Sequence, residues 1–228
     1  MKLSNKVLLG FLGFIFLYIT AAFTELRLTG TPNILNDENS VAETVDLSGV
    51  AYVAINDVNH YVRILKGDRA KLEVRSVKGG LLKNLTYKMS GDTLVLSDFQ
   101  YDKQPRVNIT VFVSEASLKG VTMNNSSASI DGLEQDLLRV SVSAGGRLSM
   151  SDHKIGSIHI EVKSNSFLEI SESKLDTLSA TIDGSQVQVR CPVGFVSGSM
   201  TNHAFMQLSQ MQQIQLKEDE SSRLAVYQ

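Results

Sequence analysis

The sequence predicts an all-β fold: a β-solenoid, or β-helix-like body, preceded by an N-terminal transmembrane or signal helix. Three observations carry that prediction. An apolar pair recurs at near-constant spacing through the second half of the chain, no helical period appears after residue 30, and one uncharged apolar run stands near the start.

The N-terminal run comes first. Lys2 and Lys6 precede an uncharged stretch from Val7 to Phe23, and the next charge is Glu25. As a helix it rises about 25 Å, slightly under the ~30 Å of a bilayer's hydrocarbon, so spanning needs modest thinning. A signal peptide has a shorter apolar core and a small-x-small cleavage site, of which Thr20-Ala21-Ala22 is an imperfect version. A retained anchor, a cleaved signal and a buried core helix are the three readings. In the first two the basic N-terminus stays in the cytoplasm and the remainder is exported. Cys191 is the only cysteine, which excludes an acylated cysteine near the N-terminus and any disulfide within the chain. Residues 1–24 are thus the membrane anchor or signal segment. Residues 25–49, lacking sustained periodicity and rich in turn formers around Gly30 to Ser40, form a spacer.

Residues 50–228 make the solenoid. Alternation at Val53/Ile55, Val62/Ile64 and Leu72/Val74 marks three short strands parted by Asn56-Asp57 and Lys66-Gly67-Asp68 turns. Leu85/Tyr87/Met89, a Ser90-Gly91-Asp92 turn, Leu94/Leu96 and Val107 to Val113 continue the pattern. Then the repeat begins. Ala128/Ile130, Leu148/Met150, Leu168/Ile170, Val187/Val189, Met206/Leu208 and Leu224/Val226 follow at steps of 20, 20, 19, 19 and 18 residues. A second pair keeps pace at Val121/Met123, Val140/Val142, Ile160/Val162 and Ala180/Ile182, weakening at Gly198/Met200. Further apolar positions recur at Leu118, Leu138, Ile158, Leu178, Val196 and Ile214, and more loosely at Leu133, Ile155, Leu175, Val193 and Met211. Small or polar residues, such as Asn125-Ser126-Ser127 and Ser164-Asn165-Ser166, separate the pairs. Alternate residues of a strand face opposite sides, so each unit offers inward pairs that no single unit can cover. Stacking the units buries one continuous column. A meander or sandwich with evenly spaced strands is the competing architecture, and several positions repeating together favour the solenoid.

Composition excludes one partner class. The formal charge of -2 becomes -4 once Lys2 and Lys6 are set aside, and no basic stripe suited to nucleic acid appears. The chemistry is equally sparse. Asp152 and Glu172 occupy equivalent positions one unit apart, about 5 Å by strand spacing, but no basic or further acidic group recurs beside them. His60, His153, His159 and His203 lack metal-ligand spacing and read as surface or corner residues. Cys191 sits in Arg190-Cys191-Pro192 with no histidine motif, as a buried or incidental thiol. The outward positions inside the first pair are Ser129, Ser149, Glu169, Gln188, Gln207 and Ala225, a ladder whose hydrogen-bonding groups suit either a polar face or a binding face. No phosphate-cradling loop or nucleophile elbow is present, so the sequence supplies no catalytic set, no metal site, no cofactor motif and no identified binding residue.

The Val53-Ala54-Ile55 strand, the Lys66-Gly67-Asp68 turn before Leu72-Glu73-Val74, the Gly91-Asp92-Thr93-Leu94 turn and the serial C-terminal coils carry a resemblance. Over roughly residues 50 to 228 the chain resembles the head GIN domain family of putative auto-transporter adhesins. It departs where the family often has a proline, at Ser114, Glu115 and Ala116. The resemblance implies a β-solenoid exported by a bacterium and assigns no binding residue. The expected function is an exported, membrane-tethered, non-catalytic interaction or adhesin-like module of the cell envelope. Its domain lies outside the cytoplasm, anchored to the inner membrane or released after signal cleavage, with a glycan or an envelope protein as partner. The alternative is a carbohydrate-active enzyme, a lyase or hydrolase, on the same β-helix scaffold.

Overall fold

A computed structural model describes residues 3–29, 39–77, 79–99, 107–114 and 118–227, with the side chains of the first helix described from 10 to 24. The chain divides into two units, residues 1–39 and 40–228. The first unit holds a single helix, α1 (Leu3–Thr29). It contains no proline, and the hydroxyls of Thr20 and Thr24 bond back to the helix, Thr20 Oγ1 to the Phe16 carbonyl at 2.8 Å and Thr24 Oγ1 to the Thr20 carbonyl at 2.7 Å. Among the described residues no helix is long and apolar enough to cross a membrane.

Among its described residues, the regular elements of the second unit are strands apart from one short 3-10 turn, Leu82–Asn84. Its first seven strands are β1 (Val41–Asp46), β2 (Tyr52–Asn56), β3 (Val62–Lys66), β4 (Lys71–Ser76), β5 (Leu85–Ser90), β6 (Thr93–Phe99) and β7 (Val107–Val113). The serial coils follow as β8 (Gly120–Asn124), β9 (Ser127–Asp131), β10 (Glu134–Ser143), β11 (Arg147–Ser151), β12 (Lys154–Lys163), β13 (Phe167–Ser171), β14 (Lys174–Asp183), β15 (Gln186–Thr201), β16 (Phe205–Glu218) and β17 (Arg223–Val226). The 25–49 stretch is therefore not all spacer. Its last part forms β1, because Val45 and Val41 lie in antiparallel register with Leu72 and Ser76 of β4; residues 30–38 lie outside the described residues.

Three walls result. The first wall stacks β6, β2 and β8 with the C-terminal parts of β10, β12, β14, β15 and β16. The second stacks β7, β3, β9, β11 and β13 with the N-terminal parts of β15 and β16, then β17. The third is built from the N-terminal parts of β10, β12 and β14 and the middles of β15 and β16, so each long strand bends from third wall to first. All these pairings are parallel, which leaves both faces of each strand to be satisfied by burial inside and polarity outside. The core follows the sequence columns. Leu148, Leu168, Val187 and Met206 stand in vertical register, and all four are buried.

Step length has a structural cause. Between Lys163 and Phe167 the first-to-second-wall corner uses two left-handed residues, Ser164 and Asn165, whereas the next coil turns on Gly184 alone. One residue fewer gives the step of 19. In the following coil the loss moves to the second-to-third-wall corner, where Val189 to Val193 takes four steps against the five from Ile170 to Leu175. Two sequence positions fall out of register. Gln135, not Leu133, pairs with Ile155, and Leu133 instead turns inward at the corner; Leu118 lies one residue off the Leu138 column because Gly120 pairs with Arg139.

The amino-terminal coils are not laid down in sequence order. β2 lies between β6 and β8, and β3 between β7 and β9, so the first coil made is enclosed by two made later. Antiparallel β5 lies beside β6, and antiparallel β4 and β1 extend the second wall. At the other end Met211, Ile214, Leu216 and Leu224 are only partly buried, since their coil has a neighbour on one side.

Candidate functional site

The two corners are where polar chemistry enters the interior. At the first-to-second-wall corner a buried serine faces the interior. Ser126 Oγ accepts the Val58 N–H at 3.0 Å, Ser185 Oγ the Ser166 N–H at 3.1 Å, and Ser222 Oγ the Ala204 N–H at 3.2 Å. The first two hydroxyls thus satisfy backbone donors one coil away that the turn leaves unpaired, and the third shares the Ala204 N–H with the Thr201 carbonyl. At the second-to-third-wall corner the inward column is Leu133, His153, Ser173 and Cys191, all buried. His153 Nδ1 accepts the Leu133 N–H, and Ser173 Oγ accepts the His153 N–H at 3.1 Å. Burial drives the His153 pKa below the ordinary histidine value, against the opposing influence of the Ile130 and Leu133 backbone and of Asp131 and Asp152. Burial likewise pushes the Cys191 thiol up to about 11, which keeps it an unreactive thiol. His153 is thus a corner residue, and an interior one; His159 and His203 are exposed and His60 is half-buried.

Asp152 and Glu172 do fall on consecutive coils, both exposed and both in the left-handed conformation that turns the corner, with φ of 57° and 48°. Their place in the fold is that of Gly132 one coil earlier, φ 73°. No third acidic, histidine or cysteine group joins them to make a metal-holding cluster among the described residues.

The outer ladder of the second wall is in register as its spacing requires, Ser129 to Ser149 to Glu169 to Gln188 to Gln207 to Ala225. Much of it is engaged within the wall. Arg190 reaches Glu169 at 2.9 Å and Gln188 Oε1 at 2.9 Å, while Asp131 accepts from Ser129 at 3.2 Å and Ser151 at 2.6 Å. Ladder groups held by their neighbours make a polar wall in their own right.

A second outward column escaped the sequence reading. It is the residue just ahead of each inward pair: Ser127, Arg147, Phe167, Gln186, Phe205 and Arg223. Its signal was available, since two phenylalanines recur at a position that alternation turns outward. The column ends in a notch of about 200 Å³ that includes Asn59, His60, Tyr61, Asn125, Ser127 and Arg147. The His60 ring stands edge-on to buried Phe99 with centroids 4.5 Å apart, and burial lowers its pKa below the ordinary histidine value.

Solved structures share this architecture. A putative adhesin from Bacteroides fragilis superposes with a TM-score of 0.59 at 11% identity, covering 86% of this chain and 99% of that one. A putative adhesin from Parabacteroides merdae gives 0.55 at 8%, covering 86% and 99%, and one from Parabacteroides distasonis gives 0.52 at 8%, covering 82% and 93%. At such identities the likeness establishes the fold alone. No curated protein matches the sequence. A family model does match, over residues 53–190, more than half of the chain and reaching from β2 into β15, and on that match the chain belongs to the family described as putative auto-transporter adhesin, head GIN domain.

Proposed function

We propose that the chain is an exported, non-catalytic, adhesin-like interaction module tethered to the membrane by α1. The observation that carries the tether is the exposure of the apolar side chains described on α1, between residues 10 and 24. Phe11, Phe14, Phe16, Leu17, Tyr18 and Phe23 are all exposed, and the hydroxyls of Thr20 and Thr24 are bonded to the helix's own carbonyls. A helix apolar all round needs a protein core or a bilayer around it. The described side chains, 10 to 24, amount to about 22 Å of helix, and in the sequence the apolar run continues back to Val7 before Lys6. The lysines suit the cytoplasmic side, which directs residues 40–228 outward. Family membership supports the adhesin-like reading, and the Asp152–Glu172 pair, spent on turning a corner, gives no support to a lyase or hydrolase.

The test is a C-terminal reporter fusion active only outside the cytoplasm, combined with alkaline extraction of membranes. Reporter activity in a fraction that resists extraction, with the intact N-terminus seen by mass spectrometry, is the expected result. A soluble cytoplasmic product would refute the proposal, and a mature chain starting near Phe23 would replace the tether with a cleaved signal.

A further inference from the structure

We infer that the outward column of the second wall, from Tyr61 through Arg147, Phe167, Gln186 and Phe205 to Arg223, is a binding track for an acidic polysaccharide lying along the solenoid axis. The inference rests on the proposed exported module and names its ligand class.

Four observations converge on it. First, the column is continuous: Val62 pairs with Ala128, which sets Tyr61 beside Ser127, and from there the register runs coil by coil to Arg223. Second, its rings are not core. Phe167 and Phe205 lie on the outer side of strands whose next residues, Leu168 and Met206, are fully buried; they are partly buried themselves but do not pack against the core cluster, while Tyr61 is 50% exposed. Third, the charge left on this wall is positive. Outward from β3 to β17 stand Arg63, Arg147, Arg190 and Arg223 against Asp131 and Glu169. Asp131 is paired with Arg63 at 3.8 Å and Glu169 with Arg190 at 2.9 Å. Arg147 and Arg223, both exposed, have no ion-pair partner among the described residues. On a chain of formal charge -2 that is a local excess of cation. Fourth, the column opens into the notch beside Tyr61 and Arg147, where the Asn125 amide nitrogen donates to Asp57 and the Asn59 oxygen meets the His60 ring, so that one half of each amide is left for a hydroxyl.

The chemistry of these groups selects the occupant. Aromatic faces stack on the C–H faces of pyranose rings, amides bond hydroxyls, and an arginine fork takes a carboxylate in two parallel hydrogen bonds. Successive coils lie about 4.8 Å apart, a spacing comparable to the rise of one sugar in an extended β-1,4 chain. Phe167 and Phe205, two coils apart with Gln186 between, then meet alternate sugars on the same side. Parallel stacking supplies the repeat, and an extended ligand exploits it.

The experiment measures binding of the full chain in detergent to poly-β-mannuronate, to the uncharged β-1,4-mannan of the same linkage, and to vesicles of phosphatidylglycerol and phosphatidylcholine. The expected result is binding of polymannuronate that weakens with salt and exceeds mannan binding at least tenfold. Phe167→Ala with Phe205→Ala should lower it tenfold or more, and so should Arg147→Gln, an exposed change that spares the core; Thr181→Ala, exposed on the first wall, should leave it unchanged. Equal affinity for mannan, no loss in Arg147→Gln, no polymannuronate binding, or column-dependent binding of anionic vesicles instead of polymer would each overturn the track. An exported chain that ignores the polymer would sink the track while leaving the module standing, whereas cytoplasmic retention would sink the module.

Discussion

The Leu133 N–H donates to Nδ1 of His153 on the next coil at 3.0 Å, and the imidazole that accepts it is buried at a corner of the solenoid. A side chain thereby closes a gap in the backbone ladder where the chain changes wall. Because the bond needs an unprotonated Nδ1, the corner carries a pH dependence. The folded pKa is depressed by burial, so as pH falls below about 6.5 the unfolded chain takes up a proton that the folded one resists. This contribution to stability is complete above that pH and is lost progressively below it. The melting temperature should fall between pH 7 and pH 5 more steeply in the native protein than in His153→Asn, whose amide oxygen can still accept the Leu133 N–H. Parallel pH profiles would refute the assignment.

The serine corners make a second prediction. Ser185 Oγ accepts the Ser166 N–H and donates to the Asp183 carbonyl at 2.9 Å, with the serine buried. Ser185→Ala leaves a buried N–H unpaired and should cost about 1–3 kcal/mol in denaturant unfolding. Ser179→Ala, on the outer side of β14 and absent from any such corner, should change stability by less than about 0.5 kcal/mol.

A third prediction contrasts the middle and the end of the stack. Leu168 is covered by Leu148 on one side and Val187 on the other, while Leu224 has only Met206. Leu168→Ala should cost about 2–5 kcal/mol, the range for a buried leucine, and Leu224→Ala clearly less. An aspartate at each site should widen the difference, because only the central one strands a carboxylate in the column. Equal losses at the two sites would contradict a one-dimensional stack.

Gly198 carries a fourth. It occupies the first-wall column where valine, isoleucine or alanine stands in earlier coils, and its φ is 136°. A Cβ there would overlap the Ala180 carbonyl oxygen. Gly198→Ala should therefore destabilise by more than ~1 kcal/mol, the reverse of the usual benefit of replacing glycine. A neutral or stabilising result in thermal unfolding would show that the strand relaxes around the methyl group.

Much of this protein was legible in its sequence. A period near 20 with several apolar positions in step forces stacked coils, because strand alternation turns those positions to one side and no single coil can bury them. The columns through Leu168 and Ile160, the outer ladder through Glu169 and the corners rich in small residues all follow from that period. The parts that did not follow depend on distant neighbours. Nothing local in Val41–Asp46 distinguishes a spacer from a strand; its partner β4 decides. The enclosure of β2 between β6 and β8 is set by which edges remain unpaired after two excursions of the chain, information absent from the alternation of any one strand. His153 reads like its three fellow histidines until the register sets it one coil from Leu133, and the outward rings of Phe167 and Phe205 become a column only when their coils stack. Periodicity determines which side of a strand each residue takes; only the tertiary stack decides who stands above and below it, and that is where both the corner chemistry and the track arise.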